Sequence, residues 1–184
     1  MVAAGRFSMR RVYNWLLEEN TVVPWYSLMM HNMARPKARV TLWMLCHGHL
    51  PTKDRLNHFG IISNTICNMC GKEEENADHV FFSCDETMGI WQGILHWLNI
   101  SHNIQPWSRD INWILAKAKG RGWRARIFHM AVTEAIHEIW LYRNAIVFKN
   151  DTYRNNTLNR IKNSVVYMGW RNRRVREHIA SLMV

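Results

Sequence analysis

Apolar residues recur three and four positions apart along most of this chain, which is the spacing of amphipathic α-helices. The pattern predicts helices over 8–19, 25–33, 37–49, 85–98, 110–118 and 123–149, and a further one between Thr52 and Gly60. A short helix that opens at Asp78 should carry His79 and end at Cys84. No stretch shows the alternation of a convincing strand, so the sequence predicts an all-α fold.

The last segment has the most regular apolar spacing. Its apolar positions, three and four apart if Asn172 fills one gap, are Leu158, Ile161, Val165, Met168, Val175, Ile179 and Leu182. They form a seam that predicts one helix over 158–182, packed along another helix. The favoured interpretation is a long-helix hairpin with 123–149. The alternative is a protein–protein adaptor that docks on a partner or forms a homodimer through helix 158–182.

A cluster of metal-type ligands lies in the middle of the chain. Cys67, Cys70, His79 and Cys84 follow the pattern C-x2-C-x8-H-x4-C, and three of the four cysteines fall within it. A Cys-x-x-Cys turn delivers two thiolates to one zinc ion, and a histidine and a third cysteine complete a tetrahedron. Since protein fills all four positions, the pattern predicts one structural Zn²⁺ and no water-activating site. The other interpretation is two unrelated thiols and a buried core cysteine.

Composition limits the class of protein. The 184 residues suit one domain, or one domain with a helical extension, and 48% apolar residues with ten tryptophans can fill a core. We expect Trp43, Trp91 and Trp140 in that core, and Cys46 as a small buried apolar residue. No apolar run approaches a membrane span, and the N-terminus has no signal-peptide core. The cysteine usage favours an intracellular, reducing compartment, either nucleus or cytoplasm.

The net charge of +10 is unevenly distributed. Residues 1–116 hold ten basic and ten acidic residues, whereas 117–184 hold fourteen basic and four acidic ones. Such an excess predicts a polyanionic partner, most simply nucleic acid, although a basic surface without a partner would look the same. The candidate contacts form two clusters, which are Arg121, Trp123, Arg124 and Arg126, and then Arg171, Arg173, Arg174 and Arg176 with Trp170. Lys53, Arg55 and Lys72 near the cysteines could add to them.

Half of the chain, from Phe7 to about Leu98, resembles the zinc-binding domain that follows the reverse transcriptase in plant non-LTR retrotransposons. The residues that carry this resemblance are Phe7-Ser8, Tyr13, Leu16-Leu17, Pro36-Lys37, Leu42-Trp43, the run from His47 to Leu56, Cys67 to Gly71, Glu74 or Glu75, Asp78 to Cys84, and Ile90-Trp91. The weaker set Ile139-Trp140, Arg143-Asn144 and Phe148 resembles the helical connector beyond it. The resemblance implies zinc on Cys67, Cys70, His79 and Cys84, and a role beside RNA template or target DNA.

The chain departs from those polyproteins in what it lacks. It has no Tyr-x-Asp-Asp polymerase motif, and its C-terminal acidic residues lie in helical patterns rather than in an RNase H cluster. The resemblance therefore implies a stand-alone fragment or a host gene derived from an element.

We expect three parts, which are a zinc-binding domain over 1–98, a linker with a short helix over 99–122, and a basic two-helix region over 123–184. We expect no catalysis, because the acidic run Glu73–Glu75 is typical of a solvated loop. His47 and His49, two residues apart, should point to different helix faces. Neither a membrane nor a small-molecule substrate is expected.

Overall fold

The computed structural model describes residues 23–149 and 156–182, and within them the fold is all-α without a strand. The α-helices are α1 (Tyr26–Met29), α2 (Pro36–Cys46), α3 (Lys53–His58), α4 (Asp85–Trp97), α5 (Trp107–Ala118), α6 (Trp123–Val147), α7 (Thr157–Trp170) and α8 (Arg176–Ile179). A π-helix (His79–Ser83) precedes α4, and a 3-10 helix (Ala180–Leu182) follows α8. The helix predicted over 8–19 lies outside the described residues.

Helix boundaries follow local signals in the sequence. Pro36 occupies the first turn of α2, where its missing N–H costs nothing. Gly48 and Gly60 adopt φ values of 63° and 67° just beyond α2 and α3, a conformation that ends helices and favours glycine. The predicted helix over 25–33 is shorter than expected. Its chain leaves the helix after Met29, and Asn32 donates a hydrogen bond to Leu28 O at 2.9 Å instead.

Helix α6 is the central element. Every residue from Ile127 to Trp140 is buried, because α2, α5, α7 and the π-helix pack around it. One apolar core contains residues on both sides of the expected linker, from Leu28 to Ile179. The three-part division of the chain stays a prediction. Within the described residues, no helix combines the length and the apolar character that crossing a bilayer requires.

Helix α7 runs beside α6, as the hairpin interpretation predicted. The predicted single helix over 158–182 is wrong. It breaks after Trp170, and residues 171–175 form a turn before α8. The break allows the seam to fold onto its own chain: Ile161, Val165, Val175 and Ile179 all have no exposed surface. These side chains are therefore used internally and do not present a continuous face to a second chain.

Charged side chains also hold α6 to its neighbours. Arg35, at the start of α2, donates to Glu134 at 2.6 Å and to Glu138 at 2.7 Å. Arg160 of α7 donates to the other oxygen of Glu138 at 2.9 Å. Both carboxylates are buried and paired, as buried charges must be.

Two of the three tryptophans expected in the core are there. Trp91 and Trp140 are 1% and 9% exposed, but Trp43 is 43% exposed, so its prediction was wrong. Trp43 lies on the outer side of α2, where its ring contacts that of His47 with centroids 4.5 Å apart. The expected divergence of His47 and His49 was also wrong, because α2 ends at Cys46. Outside the helix the two imidazoles stack, with centroids 5.5 Å apart.

Candidate metal centre and basic surface

A tight turn places the first two metal ligands. Gly71 N donates to Cys67 O at 2.9 Å, and Gly71 has a φ of 69° that favours glycine. Cys67 N donates to Glu73 O at 2.8 Å, and an isolated bridge joins Ile66 to Glu74. The turn is thus closed on itself, and both thiols point to one side of it.

The π-helix delivers the other two ligands. His79 N donates to the Asn76 side chain at 2.8 Å, and Cys84 N donates to His79 O at 2.8 Å. Phe81 and Phe82, which lie between the ligands, are buried in the core. Their rings contact Trp140 and Trp91, with centroids 6.2 and 5.8 Å apart. The apolar core therefore fixes the position from which His79 and Cys84 reach the turn.

The four ligand atoms form a compact group. The three Sγ atoms and one imidazole nitrogen all lie within 4.8 Å of one another, and Cys70 Sγ lies 3.3 Å from His79 Nε2. A tetrahedral zinc with Zn–S near 2.3 Å and Zn–N near 2.0 Å separates its ligands by roughly 3.5 Å, so the group fits one ion. Three of the residues are buried and Cys70 is half-buried. The centre is one structural zinc site with four protein ligands.

Glu73 orients the histidine. Its carboxylate lies 3.0 Å from His79 Nδ1, so Nδ1 carries the proton and Nε2 is free to face the metal. The sequence interpretation treated Glu73 as part of a solvated loop. Its side chain is indeed 68% exposed, yet one oxygen contacts the imidazole. The missed signal was its position, between the Cys-x-x-Cys turn and the histidine.

Two of the cysteine ligands, Cys67 and Cys84, have pKa values shifted in opposite directions. A hydrogen bond from the Cys84 thiol lowers the pKa of Cys67, and the same pairing raises the pKa of Cys84. Backbone N–H groups of Met69 and Cys70 also favour the Cys67 thiolate. Thiolate is the form that binds zinc, so these hydrogen bonds favour the ligating form of Cys67.

Glu75 anchors the metal loop to α6, which the sequence did not reveal. Glu75 has no exposed surface, and Arg143 Nε donates to its Oε2 at 3.2 Å while a second, shorter bond runs from Arg143 Nη2 to Oε1. Lys53 N donates to the same Oε1 at 2.9 Å. The expectation of a solvated Glu73–Glu75 loop was therefore wrong for this residue.

The lysines near the metal centre, Lys53 and Lys72, make contacts within the protein. Lys53 is only 8% exposed, and its Nζ donates to Ile66 O at 2.5 Å and to Asn68 Oδ1 at 2.6 Å. Lys72 is exposed and pairs with Asp85 at 2.6 Å. Lys53 therefore ties α3 to the start of the metal loop and has no free charge for a phosphate.

The structure brings the two arginine clusters together. The indole of Trp123 stacks on His178, with centroids 4.4 Å apart and an interplanar angle of 13°. Arg126 of the first cluster and Asn172, which lies between Arg171 and Arg173 of the second, both reach Met33 Sδ, at 3.7 and 2.9 Å. We call the joined set the basic surface; it comprises Arg121, Trp123, Arg124, Arg126, Arg171, Arg173, Arg174 and Arg176. All of its arginines are exposed except the half-buried Arg126.

Contacts hold part of this surface in place. Arg124 lies over the Trp123 ring, 4.7 Å from its centroid, and Arg176 donates to Trp170 O at 2.9 Å. Arg171 donates to the Tyr167 hydroxyl at 3.2 Å. The described segment from 171 to 182 includes one carboxylate, the exposed Glu177.

Comparison with known proteins identifies one matching family. Residues 7–91, slightly less than half of the chain, match the family model described as zinc-binding in reverse transcriptase. The matched segment contains all four metal ligands. Neither the search of curated proteins nor that of solved structures found a match.

Proposed function

We propose that this chain is a nucleic-acid-binding protein derived from a retrotransposon, because residues 7–91 match the family model described as zinc-binding in reverse transcriptase. In this proposal zinc stabilises the fold, and the basic surface binds RNA or single-stranded DNA. The ligand is a flexible single strand whose phosphates pair with arginine and whose bases are free to stack.

The union of the two arginine clusters is the observation that supports this function. Contacts join two segments that carry seven arginines and lie about fifty positions apart in sequence, and Glu177 is the one carboxylate within the described residues 117–126 and 171–182. Arginine binds phosphate oxygens through two parallel N–H groups, so such a surface suits a polyanion better than a single charged ligand.

We further propose that the domain is not catalytic. Four protein ligands complete the zinc coordination, and the carboxylate of Glu73, which contacts one of them, is engaged with His79 Nδ1. A hydrolytic zinc site keeps one position for water and a base to activate it. The zinc centre therefore acts on the fold, and the chemistry of binding belongs to the arginines.

Binding to labelled single-stranded RNA and DNA, followed by fluorescence anisotropy over a range of salt concentrations, tests the function. We expect a micromolar or tighter Kd at low salt and an affinity that falls steeply as salt rises, because each arginine that neutralises a phosphate releases counterions from the nucleic acid. The double variant Arg173→Gln/Arg174→Gln removes two exposed charges. It should weaken binding roughly tenfold and reduce the slope of log K against log salt by about 1.4.

A matched control removes two charges elsewhere. Lys72 and Lys149 are both exposed. Lys72 lies in the metal loop. Lys149 lies just beyond the C-terminal end of α6, and that end is roughly 36 Å along the helix from Trp123. Lys72→Gln/Lys149→Gln should keep the wild-type salt slope. Equal weakening by the two double variants would assign binding to net charge alone, and absence of binding at low salt would refute the function.

A further inference from the structure

A cavity of about 480 Å³ opens beside the basic surface. It lies between the end of α4, the first turns of α6 and the final 3-10 helix. Its apolar wall includes Trp97, Trp123, Phe128 and Leu182. The volume is within the range of pockets that bind small organic molecules.

The walls of the cavity are held in position by contacts outside it. Trp97 Nε1 donates to Leu182 O at 2.8 Å, which closes one side. Trp123 is supported by its stack on His178, and Phe128 meets Trp113 edge to face with centroids 5.3 Å apart. The pocket is thus preformed, and binding there requires little ordering of side chains.

The charges that line the cavity have one sign. Lys117 and Arg124 are its charged residues, and no carboxylate is among the described side chains that line it. Flat aromatic walls with two cations match a ligand that combines a planar ring system with an anionic group. A nucleotide has this combination, with its base against the aromatic wall and its phosphate on the cations.

From this geometry we propose that the cavity is a nucleotide-binding pocket that takes one unpaired base of the bound strand. Trp123 and Arg124 belong both to the pocket and to the basic surface, so a strand that follows the arginines passes its mouth. The inference rests on the proposed function and adds to it a preference for unpaired over duplex nucleic acid, because a paired base cannot enter.

Nucleoside 5′-monophosphates test the pocket without a polymer. In the wild-type protein, millimolar AMP or UMP should shift the indole N–H resonances of Trp97 and Trp123 in a saturable manner. Ribose 5-phosphate, which has the phosphate without the base, should leave them unchanged. If ribose 5-phosphate shifts them equally, or no nucleotide shifts them, the pocket is not a base site.

A cavity-filling variant tests the same site in the polymer. Ala125 lines the cavity, so Ala125→Phe places a phenyl ring in it without changing charge. Single-stranded binding should weaken roughly tenfold while the salt slope stays at the wild-type value. Ala116→Phe, at an exposed position of α5 outside the cavity, is the matched control. Ala125→Leu fills less space and serves if the phenylalanine variant misfolds.

The two proposals fail in different ways. Oligonucleotide binding that depends on Arg173 and Arg174 but not on Ala125, with unmoved indole resonances, overturns the pocket and keeps the proposed function. Mononucleotide binding in a protein that does not bind oligonucleotides overturns the proposed function and leaves the cavity as a site for free nucleotides only. A duplex that binds as tightly as the matching single strand overturns the pocket.

Discussion

The metal loop, residues 66–84, and the pair of helices α6 and α7 are stabilised in opposite ways. Apart from the π-helix, whose Phe81 and Phe82 pack in the apolar core, the loop has little regular structure and relies on four zinc ligands, Glu73 and the buried ion pair of Glu75. The helices rely mainly on an apolar interface in which Ile136, Ile139, Ile161 and Val165 are fully buried, and the Arg160–Glu138 ion pair adds to it. The loop therefore depends on a few strong, removable interactions, and the helices on many weak ones.

Zinc removal should have the largest effect and should separate the two regions. Structural zinc contributes about 10–16 kcal/mol in small zinc-binding modules, because metal binding is coupled to folding. In the chelated protein, or in Cys67→Ser, we expect the amides of 66–78, which precede the core-packed π-helix, to exchange rapidly in hydrogen-exchange measurements. Amides of α6 around Ile136 should stay protected. A melting curve that chelator does not move would refute the structural role of the metal.

The next largest effect should come from the link between the regions. Glu75→Gln leaves Arg143 buried without a counter-charge, which should lower the free energy of unfolding by about 3–5 kcal/mol. Chemical denaturation of the zinc-loaded protein measures it. The double variant Glu75→Gln/Arg143→Met removes both charges and should recover part of the loss. Arg143→Met alone completes the cycle. If the loss in the double variant equals the sum of the losses in the two single variants, the pair is not coupled.

Overpacking should affect the helix pair at Gly169. A methyl group there would overlap the Cδ1 and Cγ1 atoms of Ile179, which is fully buried and would have to shift within the core. Gly169→Ala should cost about 1–3 kcal/mol of unfolding free energy without changing zinc affinity. A zinc affinity that fell in parallel would contradict the independence of the two regions.

Gly89 is the control for that substitution. It lies on an exposed face of α4 with nothing within 4 Å of an added methyl group. Gly89→Ala should therefore stabilise the protein, by about 0.5–1 kcal/mol, because alanine favours helix.

A smaller, pH-dependent effect should come from α6. Burial lowers the pKa of His129, which keeps the neutral ring and donates from Nε2 to Leu28 O at 2.7 Å. The unfolded chain binds this proton more readily, so the contribution is complete above pH ~6.5 and is lost as the pH falls toward the lowered pKa. His129→Gln can keep the donor without titrating. In excess zinc it should flatten the pH dependence of unfolding by up to about 1.4 kcal/mol per pH unit. Equal slopes in the two proteins would exclude His129 as the source.

Local information was enough to predict the metal centre and most helices. Cys67, Cys70, His79 and Cys84 are close in sequence, so their spacing already limits their geometry. The seam residues were identified, but the prediction that they lie on one continuous helix was wrong. The polar gap at Asn172 marked a turn rather than a polar position within a helix.

Contacts between distant residues could not be predicted. Glu75 shares an acidic run with exposed neighbours, and its partner Arg143 is 68 positions away, so nothing local marked it as buried. Trp43 fitted a helical apolar stripe, yet α2 offers that position to solvent. The joining of the arginine clusters likewise depends on where α8 folds back, which the sequence pattern did not specify.

The Glu75–Arg143 pair restricts how this protein can be divided or diversified. A fragment that ends at residue 98 would keep a carboxylate built for burial and lose the arginine that neutralises it. Homologous chains should accordingly keep or lose the two residues together, because either one alone leaves an unpaired buried charge. The ion pair thus makes the zinc loop and the central helix a single inherited unit, although more than sixty positions of sequence separate them.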